Sequence, residues 1–371
     1  MMIPKVLVTL ICGCLVVAGT PALSLSNGAT GGLNPATETV DTFMGDWQGN
    51  WQLDDGTDSG SLVAQVIAWG KGEYQANFLT EFPSPQGGVP DQPVPPLAVL
   101  QGQLENGTVR LSARGVQLDN GAELQEIQAA IKTDAFTGSF KGQEPSGEKL
   151  SGTFSLKKTV RLSPTLGAKP PRGAIVLFNG KNFNQWKHVQ KKQGADSVQW
   201  KLVDGAMEVK PGSGSIITKK EFMDLKLHLE FRTPFMPDAR GQGRGNSGVY
   251  LQGRYEVQIL DSYGLEGLDN ECGGIYRVAR PSVNMCAPPM QWQTYDITFR
   301  APRFDDAGNK KSDARLTVLH NGVQIHNEVK APTPTTAAPD SNITKPGGIY
   351  LQDHGNLVQF RNIWLVEQNG G

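Results

Sequence analysis

The sequence lacks most of the features that mark common protein classes. Of its 371 residues only four are cysteines and five are histidines, and the formal net charge is −1. No Cys-x-x-Cys pair occurs, which disfavours a structural zinc site. The near balance of charge argues against a nucleic-acid binder, which would show a basic stripe. There is also no Gly-x-Ser-x-Gly, phosphate-binding loop or His-Glu-x-x-His, so the enzyme classes that these motifs mark have no support.

Long hydrophobic runs are missing too, apart from one near the N-terminus. Lys5 precedes an apolar run at 6–18 that is too short to span a bilayer, and small residues at 20–22 could be a cleavage site. These features predict a signal peptide over 1–23 and therefore an exported protein, whether periplasmic, at the cell surface or secreted. Cys12 lies in a loose likeness to a lipoprotein cleavage box, so a lipid anchor stays open.

Two cysteines, Cys272 and Cys286, remain beyond the predicted signal peptide. An exported protein folds in an oxidising setting, so we expect a disulfide between them. The bridge would close a loop of roughly 15 residues and would be worth about 3 kcal/mol in the chain-entropy model. Two free thiols, or metal ligands, are the alternatives.

Glycine and proline are abundant, at 44 and 24 residues, and have no collagen-like period. Together with short alternating segments, they predict an all-β chain of strands joined by tight turns, with a single helical turn at 219–224. We expect a flexible leader over 24–41, a small antiparallel β domain of unknown role over 42–158, a Pro-rich linker over 159–173 and a larger β domain over 174–367. The Asn106-Gly107 pair between alternating segments is a strong hairpin signal.

The small net charge hides an asymmetry between the two predicted domains. Residues 24–158 carry 16 acidic and 8 basic side chains, whereas residues 159–371 carry 20 acidic and 26 basic ones. Opposite charges favour intramolecular docking of the acidic N-terminal domain on the basic C-terminal domain. Two independently solvated surfaces are the alternative.

A short motif occurs three times in the second half. It reads NSGVYLQ at 246–252, GGIYLQ at 347–352 and GGIY at 273–276. Because strand side chains alternate between faces, certain pairs should share one open face. These pairs are Tyr250 with Gln252, Tyr350 with Gln352, and Glu256 with Gln258. Aromatic rings beside amides and a carboxylate suit a sugar, and a solvated outer sheet is the alternative.

Four blocks between about 172 and 366 resemble, in order, the 3-keto-disaccharide hydrolase family, formerly a domain of unknown function. They are LFNGKNFNQW at 177–186, NSGVYLQGRYEVQILD at 246–261, WQTYDITFRAPRF at 292–304 and GGIYLQDHGNLVQFRNIWL at 347–365. The resemblance implies a jelly-roll sandwich of the concanavalin A-like lectin and glucanase type, export, and action on sugars oxidised at C3. Residues 42–158 lie outside the resemblance.

Glucanases of that fold class carry Glu-x-Asp-x-x-Glu, in which the two outer carboxylates act as nucleophile and acid. The segment Glu256-x-Gln258-x-x-Asp261 has the same spacing. The middle acid is replaced by an amide and the last acid is shorter, so an ordinary retaining glycosidase mechanism is in doubt. A polar strand face that ends in a turn aspartate is the alternative.

Among the five histidines, His354 is the best candidate for proton transfer, because it follows the Tyr350 to Gln352 segment and histidine titrates near pH 6.5. A structural cap on the turn is the alternative. The candidate catalytic residues are Glu256, His354 and Asp261, and the candidate sugar-binding residues are Asn246, Tyr250, Gln258, Tyr350, Gln352 and Arg361. A divalent metal ion at the oxygen-rich segments 269–271 or 305–306 stays open, although neither has the spacing of a known calcium loop.

A ketone at C3 acidifies the hydrogen on C2, so a base can remove it and the group at C1 can leave by elimination. This scheme needs one base, a stabiliser for the enolate and an acid, but no nucleophile. The sequence therefore predicts an exported enzyme that cleaves 3-keto-glycosides by elimination followed by hydration. A non-catalytic, lectin-like glycan-binding protein and an ordinary two-carboxylate glycosidase are the alternatives.

Overall fold

The computed structural model describes residues 41–82, 95–189 and 197–368. The predicted signal peptide, Cys12 and nearly all of the predicted leader lie outside these residues. The described chain is all-β, as predicted, and its one helical element is a single 3-10 turn at Gly241–Gly243. No described helix is long and apolar enough to cross a membrane.

Nine antiparallel strands form the first unit. They are β1 Gly45–Leu53, β2 Ser59–Ala68, β3 Glu73–Leu79, β4 Ala98–Glu105, β5 Thr108–Ala113, β6 Val116–Gln117, β7 Glu123–Lys132, β8 Ala135–Gln143 and β9 Lys149–Thr159. The sheet order is β5-β4-β3-β2-β1-β9-β8-β7-β6, and β5 also pairs with β7. This extra pairing closes eight of the strands into a barrel, and the two-residue β6 is paired to β7 beside it.

Aromatic side chains fill the barrel interior. Trp47 and Phe136 meet edge to face at 5.8 Å between ring centroids, and Phe78 and Phe154 do so at 5.1 Å. The Asn106-Gly107 hairpin is present as predicted, since Glu105 pairs directly with Thr108. Both turn residues have positive φ, 49° and 76°, which is the conformation that this dipeptide favours in two-residue hairpins.

The second unit contains fifteen strands within the described residues. They are β10 Ile175–Phe178, β11 Trp186–His188, β12 Lys201–Val203, β13 Ala206–Glu208, β14 Ile216–Thr218, β15 Leu225–Arg232, β16 Ser247–Leu251, β17 Tyr255–Ile259, β18 Gln293–Arg300, β19 Arg303–Phe304, β20 Lys310–Ser312, β21 Ala314–His320, β22 Val323–Ala331, β23 Tyr350–Leu351 and β24 Gln359–Glu367.

These strands form two main sheets and a small β19–β20 ribbon. The larger sheet runs β12-β13-β24-β15-β18-β21-β22, with β10 also paired to β24, and the smaller runs β11-β14-β23-β16-β17. Alternation sends Leu227 and Leu229 of β15, and Val249 and Val257 of β16 and β17, into the hydrophobic core. The result is the sandwich expected from the sequence.

Two expectations are wrong. Residues 219–224 do not form a helical turn, because Phe222 makes a strand-like bridge to Gly347. Cys272 and Cys286 are buried free thiols rather than a disulfide. Each thiol has its own oxygen partner, with Cys272 Sγ 3.3 Å from the Tyr295 hydroxyl and Cys286 Sγ 3.4 Å from the Leu260 carbonyl.

The segment between the units lies along the larger sheet. The Ser163 hydroxyl is 2.7 Å from that of Thr294, and the Gly167 amide donates to Glu230 at 2.6 Å. The Ala168 carbonyl accepts hydrogen bonds from the side chains of Asn362 and Trp364. The predicted linker is therefore fixed to the second unit up to about residue 168.

Candidate functional site

Two rows of side chains cross the smaller sheet on the face opposite the core. Register places Tyr350 beside Tyr250 and Tyr250 beside Glu256. The next row contains Gly248 and Gln258, and the Gln352 amide donates to the Gly248 carbonyl. Because residues two apart on a strand share a face, the two rows form one surface, which is the clustering that alternation predicts.

The third copy of the motif extends this surface. Ile275 bridges Val257, and the Tyr276 amide donates to the Glu256 carbonyl. Tyr276 therefore lies on the other side of Glu256 from Tyr250. The three copies of the motif supply three tyrosines to one carboxylate: Tyr250, Tyr276 and, one strand farther away, Tyr350.

Gly248 makes room for the Glu256 carboxylate. A Cβ atom at position 248 would lie 2.3 Å from Glu256 Oε1 and 3.0 Å from a ring carbon of Tyr250. Only a residue without a side chain allows the carboxylate to lean over this strand. In this copy of the motif, the glycine two residues before the tyrosine leaves the space that the Glu256 carboxylate occupies.

Glu256 is 3% exposed and has no cation among the described residues within ion-pairing distance. Burial raises the pKa of Glu256 to about 8, while the Tyr250 hydroxyl acts in the opposite direction. Burial, followed by the nearby Glu256 carboxylate, raises the pKa of Tyr250. The site therefore pairs a carboxyl that gains and loses its proton near neutral pH with a phenol that stays protonated.

Amide side chains border the carboxylate. The Asn246 Nδ2 donates to Gln242, and the Gln258 Nε2 donates to the Gln242 Oε1 at 3.0 Å. The Gln352 Nε2 donates to the Tyr250 hydroxyl at 3.1 Å. The Oδ1 of Asn246 and the Oε1 of Gln352 are buried and accept no hydrogen bond within the described structure. Both acceptors have room in their hydrogen-bonding capacity for a donor from a bound ligand or a water molecule.

The surface is not open, in contrast to the expectation. Tyr250 is fully buried, and Tyr350 is 8% exposed. Gln252 leaves the row, because its φ of 57° ends the strand and its Nε2 turns to the Phe222 carbonyl. The cover comes from segments outside the sheet, including the one that carries Gln242.

Asp261 is held in a buried ion pair. Its Oδ2 accepts from Arg244 Nε at 2.7 Å, and both side chains are nearly inaccessible. This arrangement binds the Asp261 carboxylate to Arg244 and gives no support to its expected role as a second catalytic carboxylate.

Arg361 is not part of the cluster. It belongs to β24 of the larger sheet, where its Nε pairs with Glu230 Oε2 at 2.7 Å and its guanidinium lies over Trp292. Arg361 and Glu256 therefore lie on different sheets, and the role of Arg361 as a sugar-binding residue stays a prediction.

His354 is exposed, in the turn after β23. Its neighbour Asp353 accepts hydrogen bonds from the amides of Gly214 and Gly355, and these bonds fix the turn that follows Gln352. No hydrogen bond joins His354 to Glu256 in the part of the chain that is described, and its role in catalysis stays a prediction.

Among the described residues, no group of three or more His, Cys, Asp or Glu side chains is placed to hold a metal ion. The two segments considered from the sequence have other partners. Glu271 accepts from the amides of Gly267 and Leu268, and Asp305 pairs with Lys311. These contacts explain the acidic residues as loop-stabilising groups.

Sequence reasoning missed two residues of the cluster. Gln242 lies in a glycine-rich segment without strand periodicity, and only its position just before the first motif copy could have pointed to it. Tyr276 had a clear signal, since it occupies the tyrosine position of the third motif copy.

Comparison with known proteins supports a carbohydrate hydrolase-like domain. Residues 173–366, just over half of the chain, match the family model described as a 3-keto-alpha-glucoside-1,2-lyase-like domain. No curated protein matches the chain.

Two crystal structures from Parabacteroides distasonis ATCC 8503, each described as a "putative glycosyl hydrolase", are similar over the same share of the chain. The first is 35% identical and covers 53% of this chain and 85% of its own, with a TM-score of 0.48. The second is 23% identical and covers 53% of this chain and 94% of its own, with a TM-score of 0.39.

Proposed function

This chain belongs to the 3-keto-alpha-glucoside-1,2-lyase-like family, and from that membership we propose that it cleaves 3-keto-glycosides by elimination across C1 and C2. The family supports a carbohydrate hydrolase-like function, and the buried Glu256 carries the more specific proposal. A carboxyl with a pKa near 8, set among tyrosines and with no cation of the described residues in ion-pairing distance, suits a general base that works close to neutral pH.

The first step is a proton transfer. The Glu256 carboxylate takes the proton from C2, which the neighbouring C3 ketone acidifies, and the electron pair of the C2–H bond forms an enolate. Tyr250 and Tyr276 lie on either side of Glu256. The Tyr250 hydroxyl donates to the Glu256 carboxylate, and once Glu256 has taken the proton both hydroxyls can donate to the enolate oxygen. Because the pKa of Tyr250 is raised, its hydroxyl keeps the proton that this role requires.

The second step breaks the glycosidic bond. The enolate electrons form the C1=C2 double bond, the C1–O bond breaks, and the departing oxygen takes a proton from an acid. Addition of water, with hydroxyl to C1 and a proton to C2, completes net hydrolysis. We propose His354 as the acid, because its turn follows the strand that carries Tyr350.

Two acceptors without a partner in the described structure, Asn246 Oδ1 and Gln352 Oε1, could accept hydrogen bonds from sugar hydroxyls. Gln258 and the Tyr350 ring complete the set of polar and apolar groups suited to a pyranose. The same surface could serve a lectin-like protein, and the raised pKa of Glu256 is what favours the enzyme. The ion pair of Asp261 with Arg244 disfavours the two-carboxylate glycosidase.

Turnover of 3-keto-sucrose or 3-keto-trehalose in deuterated water, beside the unoxidised sugars, tests this proposal. We expect cleavage of the keto sugars only, with deuterium at C2 of the released 3-keto sugar. Glu256→Gln should lower the rate about 10²–10⁴-fold, the range of general-base catalysis. Product without label at C2, analysed before background exchange, would contradict elimination, and binding without turnover would favour the lectin-like alternative.

The acid can be tested separately through the leaving group. His354→Ala should slow cleavage of 3-keto-trehalose about 10²-fold or more but should spare a 4-nitrophenyl 3-keto-glucoside, whose leaving group needs no proton. Equal losses on both substrates would assign the acid to another group.

We also propose that the protein is exported, on the basis of the charged and apolar pattern of residues 1–23.

A further inference from the structure

The turn between β2 and β3 of the barrel contacts a short segment of the sandwich unit. The indole of Trp69 contacts two guanidinium groups, with its ring centroid 4.6 Å from Arg240 and 5.0 Å from Arg244. Arg240 also donates to the Trp69 carbonyl at 2.5 Å, and both terminal nitrogens of Arg244 donate to the Ala68 carbonyl at 3.3 Å. At Gly70, a Cβ atom would lie 2.1 Å from the carboxylate of Asp238, so even the turn backbone fits against this segment.

The same segment, residues 238–246, carries the amides of the candidate site. Gln242 lies between the two arginines in sequence and accepts from both Asn246 and Gln258. The Arg244 carbonyl accepts from the Asp261 amide, while its side chain pairs with the Asp261 carboxylate. Arg244 therefore connects the barrel turn on one side with the strand that carries Glu256 and Gln258 on the other.

Glycine makes this segment dependent on outside support. Gly241 and Gly245 have positive φ, 48° and 60°, and a Cβ atom at Gly243 would meet no other atom within 4 Å. Within the segment only a single 3-10 turn is formed. Since glycine-rich backbone loses much entropy on ordering, contacts with the barrel are needed to fix Gln242 and Asn246.

We propose that the barrel of residues 42–158 is a positioning element of the candidate site, and that Trp69 holds the 238–246 segment in the arrangement that places Gln242 and Asn246 beside Gln258. This inference takes the site of the proposed function as its premise. It assigns a role to the barrel, which lies outside the family match, and it predicts that the barrel and the sandwich act as one enzyme.

Full-length Trp69→Ala, Trp69→Phe and Trp51→Ala test the proposal. Trp51 is a matched control, because it is a partly buried tryptophan of the same barrel that packs on Phe140 and Gly60 instead of on the segment. Hydrogen–deuterium exchange should show faster exchange at 240–246 in Trp69→Ala, by about 10-fold or more, with wild-type rates in Trp51→Ala. Trp69→Phe keeps an aromatic ring against the arginines and should restore most of the protection.

The kinetic readout is the KM of a 3-keto-glycoside compared with its kcat. Trp69→Ala should raise KM about 10-fold, because Gln242 and Asn246 are no longer fixed, and should leave the pH dependence that Glu256 sets unchanged. Trp51→Ala should stay within two-fold of wild type. Unchanged exchange at 240–246 in Trp69→Ala would overturn the positioning role. If the wild-type protein turns over no keto sugar, the proposed function fails while the exchange data still decide this inference.

Discussion

At the scale of single residues, the buried carboxyl of Glu256 is costly to the fold and useful to the chemistry. An unpaired charge on a covered face is unfavourable. Burial therefore raises the pKa of Glu256 to about 8, so the carboxyl keeps its proton at neutral pH. Burial raises the pKa of Tyr250 beside it, so this hydroxyl stays protonated and adds no compensating charge. A residue of this kind is better explained by a reaction than by stability.

Linkage turns this cost into a pH-dependent stability. A free glutamate titrates near 4.5 and Glu256 near 8, so the folded state binds more protons between these values and stability falls as pH rises through the interval. Glu256→Gln should therefore match wild type near pH 4 and gain on the order of 3–5 kcal/mol relative to it by pH 9. Denaturant unfolding at both pH values measures this. An exposed control, Glu105→Gln, should show no such difference, and equal stability of Glu256→Gln and wild type at pH 9 would contradict the raised pKa.

Gly248 gives a second residue-level prediction. A methyl group there would meet the carboxylate at 2.3 Å, so Gly248→Ala should push Glu256 from its place over the strand. We expect kcat on a 3-keto-glycoside to fall at least 10²-fold while the protein still folds, because the strand geometry at 248 is compatible with alanine. Activity assays paired with thermal unfolding separate the two effects. A folded variant with activity within three-fold of wild type would show that the position of the carboxylate is not critical.

At the scale of elements, the sequence predicts what depends on local pattern. Alternation in YEVQI and the repeated Gly-x-Tyr motif place the tyrosines, Glu256 and Gln258 on one face, and register in the structure brings them together. The Asn106-Gly107 turn follows from backbone preference alone. What alternation cannot give is which sheet a strand joins or what covers its face. The sheet of Arg361 depends on the long-range pairing of β24, which alternation does not reveal. The position of Gln242 over the site depends on an irregular segment that has no strand period.

The linker is a further element whose attachment can be tested. Burial alone would raise the pKa of Glu230, but hydrogen bonds from His228, Asn362, Arg361 and the Gly167 amide lower it to about 2. Its contribution is therefore present above pH 4.5 and is lost as pH falls toward 2. Glu230→Ala should destabilise the protein by roughly 3 kcal/mol at pH 7, since it leaves buried donors unpaired, and should speed cleavage near residues 169–172.

Limited proteolysis and denaturant unfolding check this, with Glu328→Ala as the control. Glu328 is a partly exposed carboxylate that pairs with Arg300 and Arg315 on the same sheet, so its loss should cost less than about 1 kcal/mol. Identical cleavage rates for Glu230→Ala and wild type would show that the linker is held by its other contacts.

At the scale of the whole molecule, the question is what joins an acidic barrel to a basic sandwich. The charge totals favour attraction between the halves, but the contacts around Trp69 join arginines to carbonyl oxygens and an indole ring. One carboxylate at the junction, Asp46, is 2% exposed and is bound by both Arg161 and the Tyr263 hydroxyl. These contacts act over hydrogen-bonding and ring-contact distances, and the Asp46 carboxylate is buried, so salt screens them less than attraction between solvated charges, which is lost beyond about 3 Å at 1 M ionic strength.

We therefore expect the barrel to stay on the sandwich at high salt. The radius of gyration from small-angle scattering, and the exchange protection of residues 240–246, should be the same in 0.05 and 1 M NaCl. Expansion of the molecule in 1 M NaCl, with faster exchange at 240–246, would mean that net charge holds the units together. In that case the site amides would be released with rising salt, and KM for a 3-keto-glycoside would rise in parallel. If the Trp69 turn forms the junction, KM should instead stay constant across the same range, because contacts from the barrel would keep the site residues of the sandwich in place.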